Sequence, residues 1–230
     1  MKGLAILALA AVCAACGQNT APAAKPDTAA TPAAAPAKAA PKGRFAPRDE
    51  CAKLPGSADF RQRLVEAVQL RDADALANLA DPAVKLDFGG GGGLAALKQR
   101  LGQGSDLWLS LDQLTKLGCA VDQSGNLVMP WLFAQDLGRI DANSALLVIG
   151  EEVPVLSAPR ASAAPIVTIS WDFVSAANGI DRTQPYQRVT FPLNRDGWVA
   201  TDKLRSVLDY RLLASRRSGQ WRIEALVSGD

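Results

Sequence analysis

A long stretch of alanine and proline most constrains what this chain can fold into. Residues 17–48 hold a single bulky apolar side chain, Phe45, among many alanines and prolines. Such a segment cannot bury a core, and its prolines favour extended polyproline conformations, so we expect a disordered spacer. The fold must then be built from residues 49–230, about 180 residues, which suffice for one large or two small domains.

A short apolar run precedes the spacer. Lys2 stands before apolar residues 4–15, which end at Cys16. About a dozen apolar residues are fewer than the roughly twenty that span a bilayer as a helix, so the run predicts a cleaved secretion signal. Its Ala-Ala-Cys ending resembles a bacterial lipoprotein signal. The resemblance implies acylation of Cys16 and, because Gly17 follows, a lipid anchor in the outer membrane facing the periplasm. An ordinary secretion signal remains the alternative.

Only two cysteines then remain in the body of the chain. With Cys13 removed and Cys16 acylated, these are Cys51 and Cys119. In an oxidising periplasm, a remaining pair of thiols favours a disulfide over a metal site or a nucleophile. Two unpaired core cysteines remain the alternative, because a sequence does not show their separation.

Residues 49–138 have the pattern of a mainly helical domain. Apolar residues at helical spacing predict four helices, and Ser57 and Asp72 are candidates to cap the first two. Asp81-Pro82 is expected to end the second helix. The glycines at 89–93 lie between a predicted strand and a helix, an arrangement that can cradle phosphate. No Gly-Lys-Ser/Thr follows, so we interpret the run as a flexible turn.

Residues 139–230 have the pattern of short strands separated by Pro, Gly, Asn and Asp, which predicts a small β-barrel. Residues 153–159, 164–166, 189–191 and 196–199 resemble a bacterial Src-homology-3-like (SH3-like) domain, with residues 176–183 as an insertion relative to that pattern. The expected fold is therefore α+β. It comprises a signal at 1–15, a lipidated linker at 16–48, a helical domain at 49–138, and a barrel with a C-terminal hairpin at 139–230.

The two flanks of the barrel also share a resemblance. Residues 60–88 resemble the opening helices of the nuclear-transport-factor-like cone fold, and residues 210–227 resemble its closing hairpin. Alternating apolar residues around Ser218-Gly219 predict a hairpin independently of that resemblance. The hairpin could belong to the barrel or to the helical region. If it belongs to the helical region, the barrel is an insertion in a cone.

Several kinds of chemistry lack their usual residues. The chain has no histidine, which removes the commonest general base and metal ligand. Adjacent Glu151 and Glu152 on a strand would point to opposite faces, so they do not form a catalytic pair. The net charge of +2 gives no basis for nucleic-acid binding. The sequence therefore predicts a protein that is not an enzyme and uses no cofactor and no metal.

Aromatic and arginine side chains in the predicted barrel favour a binding role. Trp171, Tyr186, Arg188 and Trp198 are the candidate ligand-binding residues, because such groups contact extended peptides, sugars and carboxylates. They could equally be core aromatics and a solvated rim. We expect an envelope binding or accessory protein whose barrel binds peptidoglycan peptide or another envelope protein. The alternative is a small-ligand pocket protein or weak enzyme built on a cone.

Overall fold

The computed structural model of this protein describes residues 42–102 and 104–229. The predicted signal, the predicted acylation site Cys16 and the predicted spacer as far as residue 41 lie outside the described residues. Within them the protein has the expected α+β composition, with helices and two sheets. The helices are α1 (Ser57–Leu70), α2 (Ala73–Asn78), α3 (Leu94–Arg100) and α4 (Leu107–Leu114).

The strands fall into three groups along the chain. Those before residue 130 are β1 (Ala80–Lys85), β2 (Ala120–Val121) and β3 (Leu127–Met129). The middle group is β4 (Ala145–Val148), β5 (Val153–Leu156), β6 (Pro165–Ile169), β7 (Phe173–Ser175), β8 (Tyr186–Phe191), β9 (Arg195–Ala200) and β10 (Leu204–Ser206). The chain closes with β11 (Arg211–Arg217) and β12 (Gln220–Val227). Short 3-10 helices lie at Cys51–Lys53, Trp131–Ala134 and Thr201–Lys203.

The first sheet is covered by the helices. Its five strands lie in the order β1-β12-β11-β3-β2, with β1 parallel to β12 and the other neighbours antiparallel. Phe60 and Leu64 recur on one face of α1 and are fully buried against Leu111 of α4 and the sheet residues Leu212 and Ile223. The four-residue spacing read from the sequence therefore forms the core of this half.

The second sheet is inserted within the first. All of β4 to β10 lie between β3 and β11, yet these two strands pair directly, with Leu212 opposite Met129. The predicted division at residue 139 groups the terminal hairpin with the barrel, but β11 and β12 complete the sheet of the helical region. The reason is apolar burial, since Leu212 and Ala214 of β11 face the helical core.

The second sheet does not close into the predicted barrel in the part of the chain that the structure describes. Its seven strands lie in the order β10-β4-β7-β8-β9-β5-β6, so β10 and β6 end the sheet. Two of the strand pairings in this sheet are short, because β7 and β8 share one residue pair, and β5 and β9 share one residue pair. The sheet curves around a core of its own, formed by Leu146, Val148, Val153, Val155, Val174, Ala176, Val189, Phe191, Val199 and Leu204.

Two predicted helix boundaries shift in the structure. Ser57 is the first residue of α1 rather than its cap, and its buried hydroxyl donates to the carbonyl of Cys51 at 2.6 Å. Asp72 does cap α2, accepting from the backbone N–H groups of Asp74 and Ala75. Asp81-Pro82 does not end that helix but lies within β1, where a proline is tolerated because β1 is an edge strand.

The end of the predicted linker is folded. Phe45 is 4% exposed and packs against Phe173, with 4.7 Å between ring centroids. Its N–H donates to the carbonyl of Trp171 at 2.9 Å. The sequence reading placed residues 42–48 in the spacer because they hold one large apolar residue. That residue is enough to dock the segment, because Phe173 and Leu147 provide an apolar site for it.

The predicted disulfide is confirmed. Cys51 and Cys119 are bonded, with their Cα atoms 5.7 Å apart. Two backbone hydrogen bonds of 2.8 Å flank the bridge. The N–H of Glu50 donates to the carbonyl of Cys119, and the N–H of Cys119 donates to the carbonyl of Arg48. The bridge thus joins the segment that precedes α1 to the residue just before β2, a few residues beyond the end of α4.

Candidate functional site

Three of the four predicted binding residues lie on one face of the hairpin formed by β8 and β9. Along β8, Tyr186 and Arg188 alternate with buried residues, as Trp198 does along β9. Arg188 is paired directly with Trp198, and Tyr186 lies two pairs along the ladder, opposite Ala200. Since side chains of alternate residues share a face of a sheet, these three groups form a single surface away from the core.

The charge on this surface is paired but accessible. Arg188 Nη2 contacts Asp196 Oδ2 at 2.8 Å, and both side chains are exposed, by 69% and 46%. Thr190 donates its hydroxyl to the other carboxylate oxygen, also at 2.8 Å. That hydrogen bond, and then Arg188, lower the pKa of Asp196 below its ordinary value. The face therefore presents a guanidinium and a carboxylate side by side at neutral pH, both open to water.

A polar cavity adjoins the pair. Its volume is about 470 Å³, and its polar lining consists of Ser175, Asn178, Asp181, Gln187, Arg188, Thr190 and Asp196. One wall is the loop 176–183, the segment by which the sequence departs from the SH3-like pattern. Gln187 fixes that wall, because its side-chain amide donates to the carbonyl of Asp181 at 2.6 Å and to the hydroxyl of Thr201 at 2.9 Å. The insertion thus shapes a site beside Arg188.

Trp171, the fourth candidate, does not belong to this surface. It lies between β6 and β7 with a positive φ of 45°. Its N–H donates to the carbonyl of Gly150, and its own carbonyl accepts from Phe45. The docked segment also comes close, since a Cβ on Gly43 would stand 2.7 Å from the Cβ of Trp171. Trp171 thus positions the segment that follows the spacer.

The neighbouring arginines have structural partners. Arg182 contacts Asp209 at 3.0 Å, and Arg195 stacks over the ring of Phe191 at 5.0 Å from its centroid. Trp131 is 4% exposed and donates its ring N–H to Glu50. Of the basic residues that flank the candidate face, Arg188 alone has its charge on the surface shared with Tyr186 and Trp198.

The glycine run forms a turn around an aspartate. Asp87 accepts from the N–H groups of Gly89 and Gly91 at 3.0 and 2.7 Å, and Arg100 donates to its other oxygen at 2.7 Å. These backbone donors therefore already have an anion, supplied by the chain itself. A cavity of about 530 Å³ lies beside the turn, next to exposed Phe88. Asp87 is the residue that reasoning from the glycines alone missed.

We expect replacement of Asp87 by alanine to loosen this turn. The hydrogen bond from Gly91, followed by that from Arg100, lowers the pKa of Asp87 below the ordinary value of 3.8. Its stabilising effect is thus fully present above pH 3.8 and lost as the pH falls through the lowered value. Amide exchange at Gly89 and Gly91 should quicken in the variant at neutral pH. In the wild type the protection of these amides, taken relative to the intrinsic exchange rate at each pH, should be lost only as the pH falls below 3.8. Equal protection in both proteins at neutral pH would contradict the assignment.

The described residues show neither a metal cluster nor a membrane span. No group of three or more Cys, Asp or Glu side chains within residues 42–102 and 104–229 is placed to hold a metal ion. No helix in those ranges is both long and apolar enough to cross a bilayer.

No protein-family model matches the chain, and no curated protein matches it. Among solved structures, a designed protein of the NTF2-like (nuclear-transport-factor-like) class is similar to it, with 12% identity and a TM-score of 0.29, covering 75% of this chain and 96% of that chain. A TM-score this low carries no argument about fold or function.

Proposed function

We propose that this protein is a lipid-anchored periplasmic binding protein of the cell envelope, and that the outer face of β8 and β9 binds peptidoglycan peptide. The observation that carries the proposal is the common face of Tyr186, Arg188 and Trp198 beside a polar cavity of about 470 Å³. The half-buried rings of Tyr186 and Trp198 give contact area to an extended chain, and the cavity gives room for one polar group.

The charges on the face suit a ligand that carries both signs. Wall peptides contain free carboxylates and amines, and Arg188 and Asp196 offer a partner for each. Because this pair is exposed, its interaction is weak, and a ligand carboxylate can replace Asp196 at little cost. The absence of histidine from the chain agrees with binding rather than acid–base catalysis.

The architecture supports the same assignment. The inserted strands β4 to β10 form a sheet with a core of its own in which β4 pairs with β10, although the sheet stays open between β10 and β6. The insertion at 176–183, which departs from that family's pattern, forms a wall of the cavity. The proposed anchor at Cys16, with its spacer, would let the folded body reach the wall from the outer membrane.

We expect Arg188→Ala to weaken binding to purified sacculi at least tenfold, because a charge-assisted hydrogen bond is worth about 1.5 to 3 kcal/mol and each ~1.4 kcal/mol is a factor of ten. Trp198→Ala should weaken it as well through lost contact area. The measurement is a sedimentation assay with sacculi at several protein concentrations. Thermal melts should show Arg188→Ala within a few degrees of wild type, since only an exposed ion pair is lost.

Arg217→Ala is the matched control. Arg217 is similarly exposed, at 68%, and pairs with Glu224 on the first sheet, so its loss changes the net charge equally without touching the face. It should leave binding to sacculi unchanged. If Arg188→Ala behaves like Arg217→Ala, general attraction to anionic wall polymer explains the binding and the proposed site is wrong. If the wild-type protein does not bind sacculi but does bind an envelope protein, and Arg188→Ala abolishes that binding, the proposed face is right and the proposed ligand class is wrong.

A further inference from the structure

The strand at one end of the second sheet, β6, has one edge that pairs with no other strand of the described protein. Only β5 pairs with it, and among the described residues no other backbone hydrogen bond involves residues 165–169. Alternate residues of an edge strand point their N–H and C=O groups away from the sheet, where another strand can pair with them. Its sequence is Pro-Ile-Val-Thr-Ile, without a charge, and Ile166 is 37% exposed.

The other edge strands in the described part of the protein have features that hinder pairing with a further strand. Strand β1 carries Asp81, Pro82 and Lys85, which are the residue types that prevent edge-to-edge pairing. Strand β2 is two residues long, and β10 is three residues long with Arg205 buried at its centre. The β6 edge has Pro165 at its first position and a bulge at Ile166, since Val155 pairs with Val167 but Leu156 pairs with Pro165. Residues 167–169 follow as a regular edge without proline or charge.

Charges of opposite sign flank this edge. The β5–β6 hairpin has exposed Arg160 in the loop at one end. At the other end Glu151 and Glu152 precede β5, whose first residue Val153 pairs with Ile169. Lys42 contacts both glutamates, through its backbone N–H to Glu151 and its ammonium to Glu152, so two carboxylates face one ammonium there. The edge is therefore positive at the start of β6 and negative at its end.

We propose that β6 pairs antiparallel with β6 of a second copy of this chain, about a two-fold axis near Val167. This arrangement places the start of each strand beside the end of the other, so Arg160 of each copy meets the glutamates of its partner. A parallel pair would instead set like charges together. The charge pattern is self-complementary, and for that reason the proposal names a second copy rather than an unrelated peptide. The proposed β6–β6 pairing between two copies does not involve the candidate face on β8 and β9.

Sedimentation of the purified full chain over a range of concentrations tests the proposal at low salt. Wild type should show a monomer–dimer equilibrium, and Thr168→Lys should weaken it at least tenfold by placing a charge on the exposed side of the edge. Amide exchange within residues 165–169 should slow as wild type dimerises. The variant has the same N-terminus as wild type, so association through the proposed anchor would affect both equally.

Charge exchange distinguishes self-pairing from other causes. Arg160→Glu alone and the double variant Glu151→Arg/Glu152→Arg should each dimerise poorly, because like charges then meet across the axis. An equimolar mixture of the two should form a heterodimer with at least the wild-type affinity. Wild type that stays monomeric, or a mixture that fails to associate better than its components, would overturn the proposal. So would protection of residues 165–169 that appears only with a foreign peptide.

Discussion

Removing the disulfide should lower the free energy of unfolding by about 2 to 4 kcal/mol. The bond closes a loop with a sequence separation of 68 residues, and both cysteines are fully buried. In the chain-entropy account, the bond acts mainly by restricting the unfolded chain. For a domain of this size the expected fall in Tm is roughly 4 to 16 °C. Urea unfolding of Cys51→Ala/Cys119→Ala measures the loss of free energy, and a thermal melt measures the fall in Tm. Alanine is chosen to avoid burying a new polar group.

Reductant provides the internal control for that measurement. Wild type with reductant should approach the stability of the double variant, and the double variant itself should not respond. The variant should still fold, because the backbone bonds of Glu50 and Cys119 hold the segment in place without the bridge. Equal stability of wild type and variant under oxidising conditions would show that the bond contributes nothing.

Asp209→Asn should destabilise the protein by about 3 to 5 kcal/mol, because it leaves a buried guanidinium without its anion. Arg205 is 1% exposed, lies 3.3 Å from Asp209 and donates to the carbonyl of Tyr210 at 2.5 Å. Burial lowers the pKa of Arg205, and the Asp209 carboxylate opposes that effect. The charge therefore depends on Asp209 for its stability inside the protein. Urea unfolding at neutral pH gives the loss.

A second substitution distinguishes an unpaired charge from a general loss of packing. Arg205→Met added to Asp209→Asn should recover most of the lost stability, since an apolar side chain of similar length needs no partner. Asp202→Asn is the surface control, because its side chain is 72% exposed and its ion pair with Lys203 is worth at most about 1 kcal/mol. If the Arg205→Met addition destabilises further, the guanidinium is held by its hydrogen bonds and not by the charge.

The burial and the ion pair of Arg205 could not be predicted from the sequence. It lies on β10, which the sequence did not predict, and its partners come from the following turn and from Gln113 of α4, at 3.5 Å. Nothing in the local pattern distinguishes it from an exposed arginine. The same holds for Phe45, whose neighbours looked like spacer, and for Asp87, whose role depends on the fold of the glycines after it.

The sequence names the side chains of the candidate face, and strand pairing brings three of the four together. Tyr186, Arg188 and Trp198 were chosen as aromatic and basic residues near turns, and strand pairing brings them onto one face. Their common face follows from two-residue alternation, which a sequence displays directly. Trp171 was chosen on the same grounds, yet it packs with the segment around Phe45. That contact joins residues more than a hundred positions apart, and no periodicity indicates it.

The sequence by itself determined much of the local structure and favoured the covalent bridge. Helical spacing placed α1 to α4, alternation placed β5 and β8 and the terminal hairpin, and the count of cysteines left Cys51 to pair with Cys119. These features depend on neighbouring residues or on a single possible pair. Tertiary structure alone decided which sheet each strand joins. Ala80 pairs with Ile223 and Leu212 with Met129 because their apolar side chains share one core, whereas an alternating strand fits either sheet equally well.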